Sequence, residues 1–416
     1  MTGQTPDGTA IPGSNSPSGE LDQRWFVLGA VVLYYAFRWQ TLSEFARAID
    51  HADVFFCDFV NHFYPQGRAI FTSSQRVWGF YYSPFAALVC GVIALLPFSL
   101  AEILWGGLQV AGLLGLYVLP LKEFPEATKT QKSLYTFLFL TSIPVLHNFK
   151  WGQISVFLTV GMVAALYYYR RDRKVLSAFI LALAVSVKIY PAILLVYFLI
   201  RRDFRYVLTA GIMTLIFSVV VPVIVLGYEG MVHFSGDVLS ATTEAVETWV
   251  PRDINSQSFP HVFGRMLDIQ PMKGAHPALI LAGFVVAAAA IFLLVKSLGK
   301  LSGHKVLPGL TLLFAVIPFF APTSWSHYFV FLPMVQLYTM SGVITPVALK
   351  GLLNVTRTIL WLGAFILTNV GLLFFAGEWD SYIHYGPVLW ADLLMILLVL
   401  VQLLFDRERV PENWVV

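Results

Sequence analysis

The sequence predicts an all-α polytopic integral membrane protein, and three observations carry that expectation. The 416-residue chain is 57% hydrophobic and only 12% charged, whereas soluble domains carry about a quarter charged residues. Its mean hydropathy is +0.72, more apolar character than a water-surrounded core accommodates. Apolar runs recur at the length of a membrane-spanning helix, about 20 residues, and the short alternating segments of an outer-membrane barrel are missing.

The elements follow in order. Residues 1–24 are rich in Gly, Ser, Pro and Thr, with no basic start and no apolar centre. They predict a disordered cytoplasmic tail rather than a signal peptide. Residues 25–405 form the membrane domain, and residues 406–416 a cytoplasmic C-terminal tail. Cytoplasmic loops carry the excess of Lys and Arg. The basic clusters Arg170–Lys174, Arg201–Arg205, Lys296–Lys305, Lys350 with Arg357, and Asp406–Arg409 therefore mark the inner face. Segments at 25–44, 100–121, 133–147, 152–170, 208–227, 278–295, 307–320, 329–341, 352–375 and 387–405 thread between the two faces. Segment 82–97 lies on the outer face or dips into it. Residues 174–200 have basic clusters at both ends but the length of one span, so they predict two short helices broken at Lys188–Pro191, where proline removes a backbone donor. The expectation is about twelve crossings with both termini inside. Residues 228–276, 321–328 and 377–386 then fall outside.

This threading gathers the unusual polar groups on the outer side. They are Asp53, Asp58, His62 and Arg68 in the first loop, His147–Gln153, Lys188, Pro251–Arg265, and Ser324–Tyr328. Ionisable groups at membrane depth are costly and usually functional. Plainer roles fit each one singly. Asp58 suits a helix N-cap, Lys188 can snorkel to the interface, His327 can pack, Asn148 and Gln153 can join helices, and Tyr82 and Trp325 can sit in an aromatic belt. The net charge of +3 gives no reason to expect nucleic acid. Cys57 and Cys90 form no metal or redox motif, and no Asp/His cluster has metal-ligand spacing, so neither a cofactor nor a metal is expected.

Several of these stretches together resemble the GT-C superfamily of membrane glycosyltransferases. Within it they are most similar to the bacterial polyprenol-phosphate-mannose-dependent α-mannosyltransferases, glycosyltransferase family 87. The residues that carry the resemblance are Asp58, Phe59 and Tyr64 in the first loop, Tyr82 and Pro84, then Asn148, Gly152 and Gln153. Lys188, Tyr190 and Pro191 follow, then Asn255, Gln257, Ser258 and Arg265, and finally Ser324, Trp325, His327 and Tyr328. The loop reads NSQS, with Ser256 splitting the amide pair, a departure that bears on Asn255.

The resemblance implies a GT-C-like bundle whose outer loops form the active site. It implies a polyprenyl-phosphate-sugar donor, a lipid-linked or glycan acceptor, contact with membrane lipids, and the bacterial plasma (inner) membrane as the location. Asp58 is then the general base of an inverting transfer, with Asp53 a supporting acid. Lys188, Arg265 and His327 are candidates for the donor phosphate. Asp53, Tyr82, Asn148, Gln153, Asn255, Gln257, Trp325 and Tyr328 are candidates for the substrates. Two other classes use the same residues differently. A lipid or small-molecule transporter would employ Asp58 and Lys188 as a charge pair in a membrane cavity, and an envelope-assembly scaffold would need neither.

Overall fold

Helices build the architecture throughout. Among the described residues the one strand-like pairing is an isolated antiparallel bridge between Ser256 and Trp325. The computed structural model describes residues 28–32, 55–73, 75–125, 127–269, 274–298, 306–321, 323–340, 352–375 and 378–405. Asp53, both tails, Lys350, most of segment 25–44 and residues 299–305 of the third basic cluster lie outside these residues.

A π-helical turn at Phe59–Phe63 runs into α1 (Tyr64–Ile70). Next comes α2 (Pro84–Ile93), opened by Pro84 and by the Ser83 hydroxyl, which accepts from the Ala86 amide at 3.1 Å. Ten residues at 1.5 Å each reach about halfway across a bilayer, so α2 does not cross alone. It packs on α1 instead. Full-length α3 (Phe98–Glu123) follows.

The expected segment 133–147 divides. Helix α4 (Lys129–Thr141) starts in a capping box between Thr128 and Gln131 and stops at Ser142. Helix α5 (Ile143–Trp151) restarts with Pro144 in its first turn and ends on Gly152, whose φ of 64° is left-handed. The chain then bends by 120° into α6 (Ser155–Tyr169). As expected, residues 174–200 break at Lys188. Helix α7 (Lys174–Val187) ends there, Lys188 is extended, and a 3-10 turn at Tyr190–Ile193 leads to α8 (Leu194–Ile200).

One expected loop is helical. After α9 (Phe204–Leu215) and a π turn, α10 runs from Val221 to Thr248. The stretch after residue 227 therefore begins as helix. No proline interrupts residues 223–248, and Gly227, at a non-helical φ of 74° and ψ of 163°, is a kink at which one helix stops and the next starts at once. The later helices of six residues or more are α11 (Phe259–Met266), α12 (Pro277–Leu298), α13 (Val306–Ala315), α14 (Leu332–Thr339), α15 (Leu352–Phe365), α16 (Trp379–His384) and α17 (Pro387–Phe405), with short helical turns at Ile317–Phe320 and Gly371–Phe374.

Among the described residues, five helical runs are long and apolar enough to cross a membrane, or six with the bent α5–α6 pair. The rest of the apolar chain is in shorter helices such as α2, α7 and the Gly309–Phe320 stretch. Proline is the local cause. Pro84, Pro144, Pro191, Pro318 and Pro333 each sit in a first helical turn, where the missing donor costs nothing and continuous helix through the preceding residue is disfavoured. The basic-cluster end is cross-tied. Glu123 of α3 pairs with Arg170 and Arg171, and Asp203 pairs with Lys174 at 2.9 Å while accepting from Tyr169 at 2.9 Å.

Candidate active site

The bend between α5 and α6 organises the site. Gly152 turns the chain, and its carbonyl accepts from the Trp105 indole of α3 at 2.9 Å. The Gln153 carbonyl accepts from the Gln109 side chain at 2.9 Å. Gln109 in turn accepts from Asn148 at 3.1 Å, and the Asn148 side-chain oxygen accepts from the Val156 amide at 3.1 Å. Asn148 thus caps the start of α6 and serves the bend itself. These amides and carbonyls of the turn find partners inside an apolar bundle, as low-dielectric burial demands, while the Trp151 indole nitrogen is buried without one among the described residues.

The first loop is pinned to the same turn. The Phe56 amide donates to the Lys150 carbonyl at 2.8 Å, holding Phe56 at a φ of 57°. Its ring meets Phe149 edge-on at 5.5 Å. Phe59, one residue beyond Asp58, stacks on Trp105 at 4.9 Å. Asp58 precedes the π turn yet makes no capping bond to it. Its carboxylate instead accepts from the Gln153 side-chain amide. Gln153 passes the network on, because its oxygen accepts from the Tyr82 hydroxyl at 3.1 Å.

Lys188 completes the chain of contacts. Its ammonium lies 4.6 Å from the Tyr82 ring centroid and 4.7 Å from that of Tyr328, and it donates to the Tyr328 hydroxyl. The two rings clasp the cation from elements far apart in sequence, an arrangement worth about 2 kcal/mol when desolvated. The break at Lys188–Pro191 is what turns this side chain into the cluster rather than along a helix face. Asp58, Gln153, Tyr82, Lys188 and Tyr328 therefore form one continuous polar path.

His327 sits behind Tyr328. It is buried, and its ring lies 5.3 Å from His147 and 6.0 Å from Trp325, stacked on both. Burial, with His147 and Lys188 nearby, pushes its imidazole well below the usual range, so it stands neutral at pH 7.

A second polar knot lies beside this path. Asp253 accepts from the Trp325 indole at 2.8 Å and from the Asn255 amide at 2.9 Å. Asn255 accepts from the Trp379 indole at 2.8 Å. Gln257 donates from its amide to the Ser324 carbonyl at 2.6 Å and from its side chain to the Ile383 carbonyl at 3.1 Å. Arg265 belongs here and not beside Lys188. It donates to the carbonyls of Asp253, Ser256 and His384 at 3.1, 2.9 and 3.2 Å. Burial lowers its pKa to about 10, with Asp253 opposing, so the guanidinium stays charged and clamps the loop.

The structure thus brings Asp58, Tyr82, Gln153, Lys188 and Tyr328 together, with Asn148 and His327 behind them. It places Asn255, Gln257, Trp325 and Arg265 in the adjoining knot. Asp53 is outside the described residues. Among the described residues no three His, Cys, Asp or Glu side chains converge as a metal set. Three members were not singled out from sequence: Asp253, Gln109 and Trp379. Gln109 had a signal, as a lone amide in the apolar run of α3. Asp253 lies two residues before Asn255, and its acid carries no separate signal in the sequence.

Within the helical bundle one acid is thus joined to one clasped cation through an amide and a phenol. Residues 80–318, more than half of the chain, match glycosyltransferase family 87, and the chain belongs to that family. The matched stretch contains Tyr82, Gln153 and Lys188, while Asp58 precedes it and Tyr328 follows it. Two relatives share one name, polyprenol-phosphate-mannose-dependent alpha-(1-2)-phosphatidylinositol pentamannoside mannosyltransferase. The protein from Mycobacterium tuberculosis is 27% identical over 267 residues, which is 63% of this chain and 58% of that protein. That from Mycolicibacterium smegmatis is 27% identical over 301 residues, 70% of this chain and 67% of that protein. The chain therefore spans under two thirds of the first relative's length. No solved structure matches it.

Proposed function

We propose that this protein transfers mannose from a polyprenyl-phosphate donor to a lipid-linked mannoside acceptor on the outer face of the plasma membrane. The observation that carries the proposal is the continuous path from the Asp58 carboxylate through Gln153 and Tyr82 to Lys188. It supplies an acid at one end and a cation at the other, with the Tyr82 and Tyr328 rings flanking the cation. The relatives' names supply the sugar and the acceptor class.

In the proposed reaction the acceptor hydroxyl attacks the anomeric carbon and gives its proton to Asp58. The bond from that carbon to the donor phosphate breaks as the new glycosidic bond forms. The phosphate leaves with the electron pair, toward Lys188. A phosphate is already a good leaving group, so the step requires no general acid, in keeping with a path that contains one carboxylate. A single displacement inverts the centre, and a β-linked donor gives an α product. Gln153 orients Asp58 from one side, and Tyr82 fixes Gln153 from the other. His327 is proposed to hold Tyr328 in place, and Arg265 to fix the loop that carries Asp253 and Asn255.

The test uses purified wild type and Asp58→Asn, radiolabelled polyprenyl phosphate mannose, and phosphatidylinositol mannosides. Wild type should move label to a new lipid. Asp58→Asn should bind donor but lose transfer by about 10²–10⁴-fold, the usual worth of a positioned base. Near-normal transfer by Asp58→Asn would remove the base from the scheme.

A further inference from the structure

A pocket of about 290 Å³ opens between the segment before α2 and the kinked helix α10. Its wall is made by Arg76, Trp78, Tyr81, Glu244 and Trp249, with Ala241 and Ala245 as the floor. Residues four apart share a helix face, so the two alanines leave one face of α10 low enough to admit a ligand. Trp78 is 74% exposed, and the Trp78 carbonyl lies 2.9 Å from His62 Nδ1. The Arg76 guanidinium bonds the Val77 carbonyl at 3.1 Å and sits 5.7 Å from the Tyr81 ring centre. The pocket therefore combines three aromatic faces with one fixed cation and one carboxylate.

That combination selects a chemistry. The C–H faces of a pyranose stack on indole and phenol rings, and its hydroxyls bond to guanidinium and carboxylate alike. An acyl chain would cover the Arg76 guanidinium and the Glu244 carboxylate and offer neither a hydrogen bond, which is unfavourable. Arg76 and Glu244 together carry no net charge, so a phosphate would meet a like charge at Glu244 that offsets its attraction to Arg76. The volume is at the low end of small-molecule sites, about 300–1,000 Å³, which suits a sugar residue rather than a whole glycolipid.

The pocket is linked to the candidate site at two points. Tyr81 precedes Tyr82, whose hydroxyl bonds Gln153. Trp249 stacks on Trp325 at 6.3 Å, and Trp325 bonds Asp253. We propose that this pocket binds a neutral mannose residue of the acceptor glycan, set back from the residue whose hydroxyl is glycosylated. The proposal rests on the glycosyl-transfer reading and adds to it the part of the acceptor that is recognised.

Two measurements test the pocket and the transfer reading separately. Purified wild type, Trp78→Ala and Glu244→Gln are titrated calorimetrically with an α-linked mannotriose. The same proteins are assayed for transfer over a range of acceptor and donor concentrations. Both side chains are exposed, so neither change threatens folding. The pocket predicts that the variants weaken mannotriose binding and raise the acceptor KM by at least about tenfold, with donor KM and kcat unchanged. Wild-type binding and acceptor KM in both variants would overturn it, as would wild type that does not bind the trisaccharide. Sugar binding that depends on Trp78, in a wild type without transfer activity, would support the pocket and sink the transfer reading.

Discussion

Gly152→Ala tests whether the bend between α5 and α6 sets the catalytic geometry. A β-carbon there would lie 2.9 Å from Phe56 Cβ, 2.9 Å from Trp105 Nε1 and 3.1 Å from Phe56 Cα. None of these atoms is the end of a flexible side chain. Phe56 is itself left-handed, tied to the Lys150 carbonyl and packed edge-on against Phe149. Trp105 is bonded to the Gly152 carbonyl. Alanine at a φ of 64° costs about 1–2 kcal/mol in backbone strain alone. Overpacking against rigid neighbours adds about 1–3 kcal/mol. The relief available is a shift of Phe56, and Asp58 lies two residues along. A displacement near 1 Å at a reacting group costs about 10²-fold in rate. The expected outcome is a lower thermal midpoint together with a transfer rate down by about two orders of magnitude at little-changed donor affinity. Gly211→Ala is the control, because a β-carbon there meets nothing within 4 Å and Gly211 lies within α9; it should gain up to about 1 kcal/mol. Wild-type transfer and stability in Gly152→Ala would refute the anchoring of the first loop on this turn.

Three further outcomes follow from single sites. Lys188→Met keeps the apolar stem and removes the charge clasped by Tyr82 and Tyr328. Transfer should fall by about 10²–10³-fold with the protein still folded, and Lys188→Arg should recover part of it; single-turnover kinetics with labelled donor check this. His261 accompanies Ser256 at 2.7 Å and is held at a pKa of about 4, against an ordinary 6.5, by burial and by Arg265. Below pH 6.5 the unfolded chain takes a proton that the folded chain refuses. Stability should therefore drop between pH 6.5 and about 4 by up to roughly 3 kcal/mol, and thermal unfolding of His261→Gln should lack that component. Asp392 of α17 is fully buried, with neither carboxylate oxygen hydrogen-bonded among the described residues. Asp392→Leu should raise the thermal midpoint, by an energy of about 1–3 kcal/mol, and leave transfer intact.

Chemistry-bearing residues were legible in the sequence wherever a polar group interrupts apolar surroundings. Asp58, Gln153 and Lys188 stood out for that reason, and Pro191 marked the break that frees Lys188 from a helix face. Their partners were not legible. Gln153 meets Asp58 across 95 positions, and Lys188 meets Tyr328 across 140, and no local rule reports such a separation. Arg265 shows the consequence. As a basic residue on an outer loop it read as a candidate phosphate ligand, and nothing local announces that three of its five N–H donors meet the carbonyls of Asp253, Ser256 and His384. Helix counts were harder than helix class. Apolar runs of about 15–25 residues look alike in sequence. Whether they cross, bend as at Gly152, or stop short as at Ile93 is settled by turn geometry and packing.

The transport alternative makes a physical demand on the same residues. Alternating access needs elements on either side of a central site to rock against one another. Two groups of contacts bear on that demand. At the basic-cluster end, Glu123 joins α3 to the end of α6, and Asp203 joins α6 and the start of α7 to the start of α9. At the other end, the Phe56, Trp105 and Gln109 bonds fix the first loop and α3 to the bend before α6. Helices α3 and α6 are therefore held to one another at both ends, the second tie lying at the bend that carries Gln153, and rocking of one against the other would break bonds at both ends. A frame tied in this way favours a preorganised site, which is what stabilising a transition state requires. Crosslinking α3 to α6 should therefore leave glycosyl transfer near wild type, whereas a transporter that rocks these helices would stop; abolished transfer in the crosslinked, folded protein would count against the fixed frame.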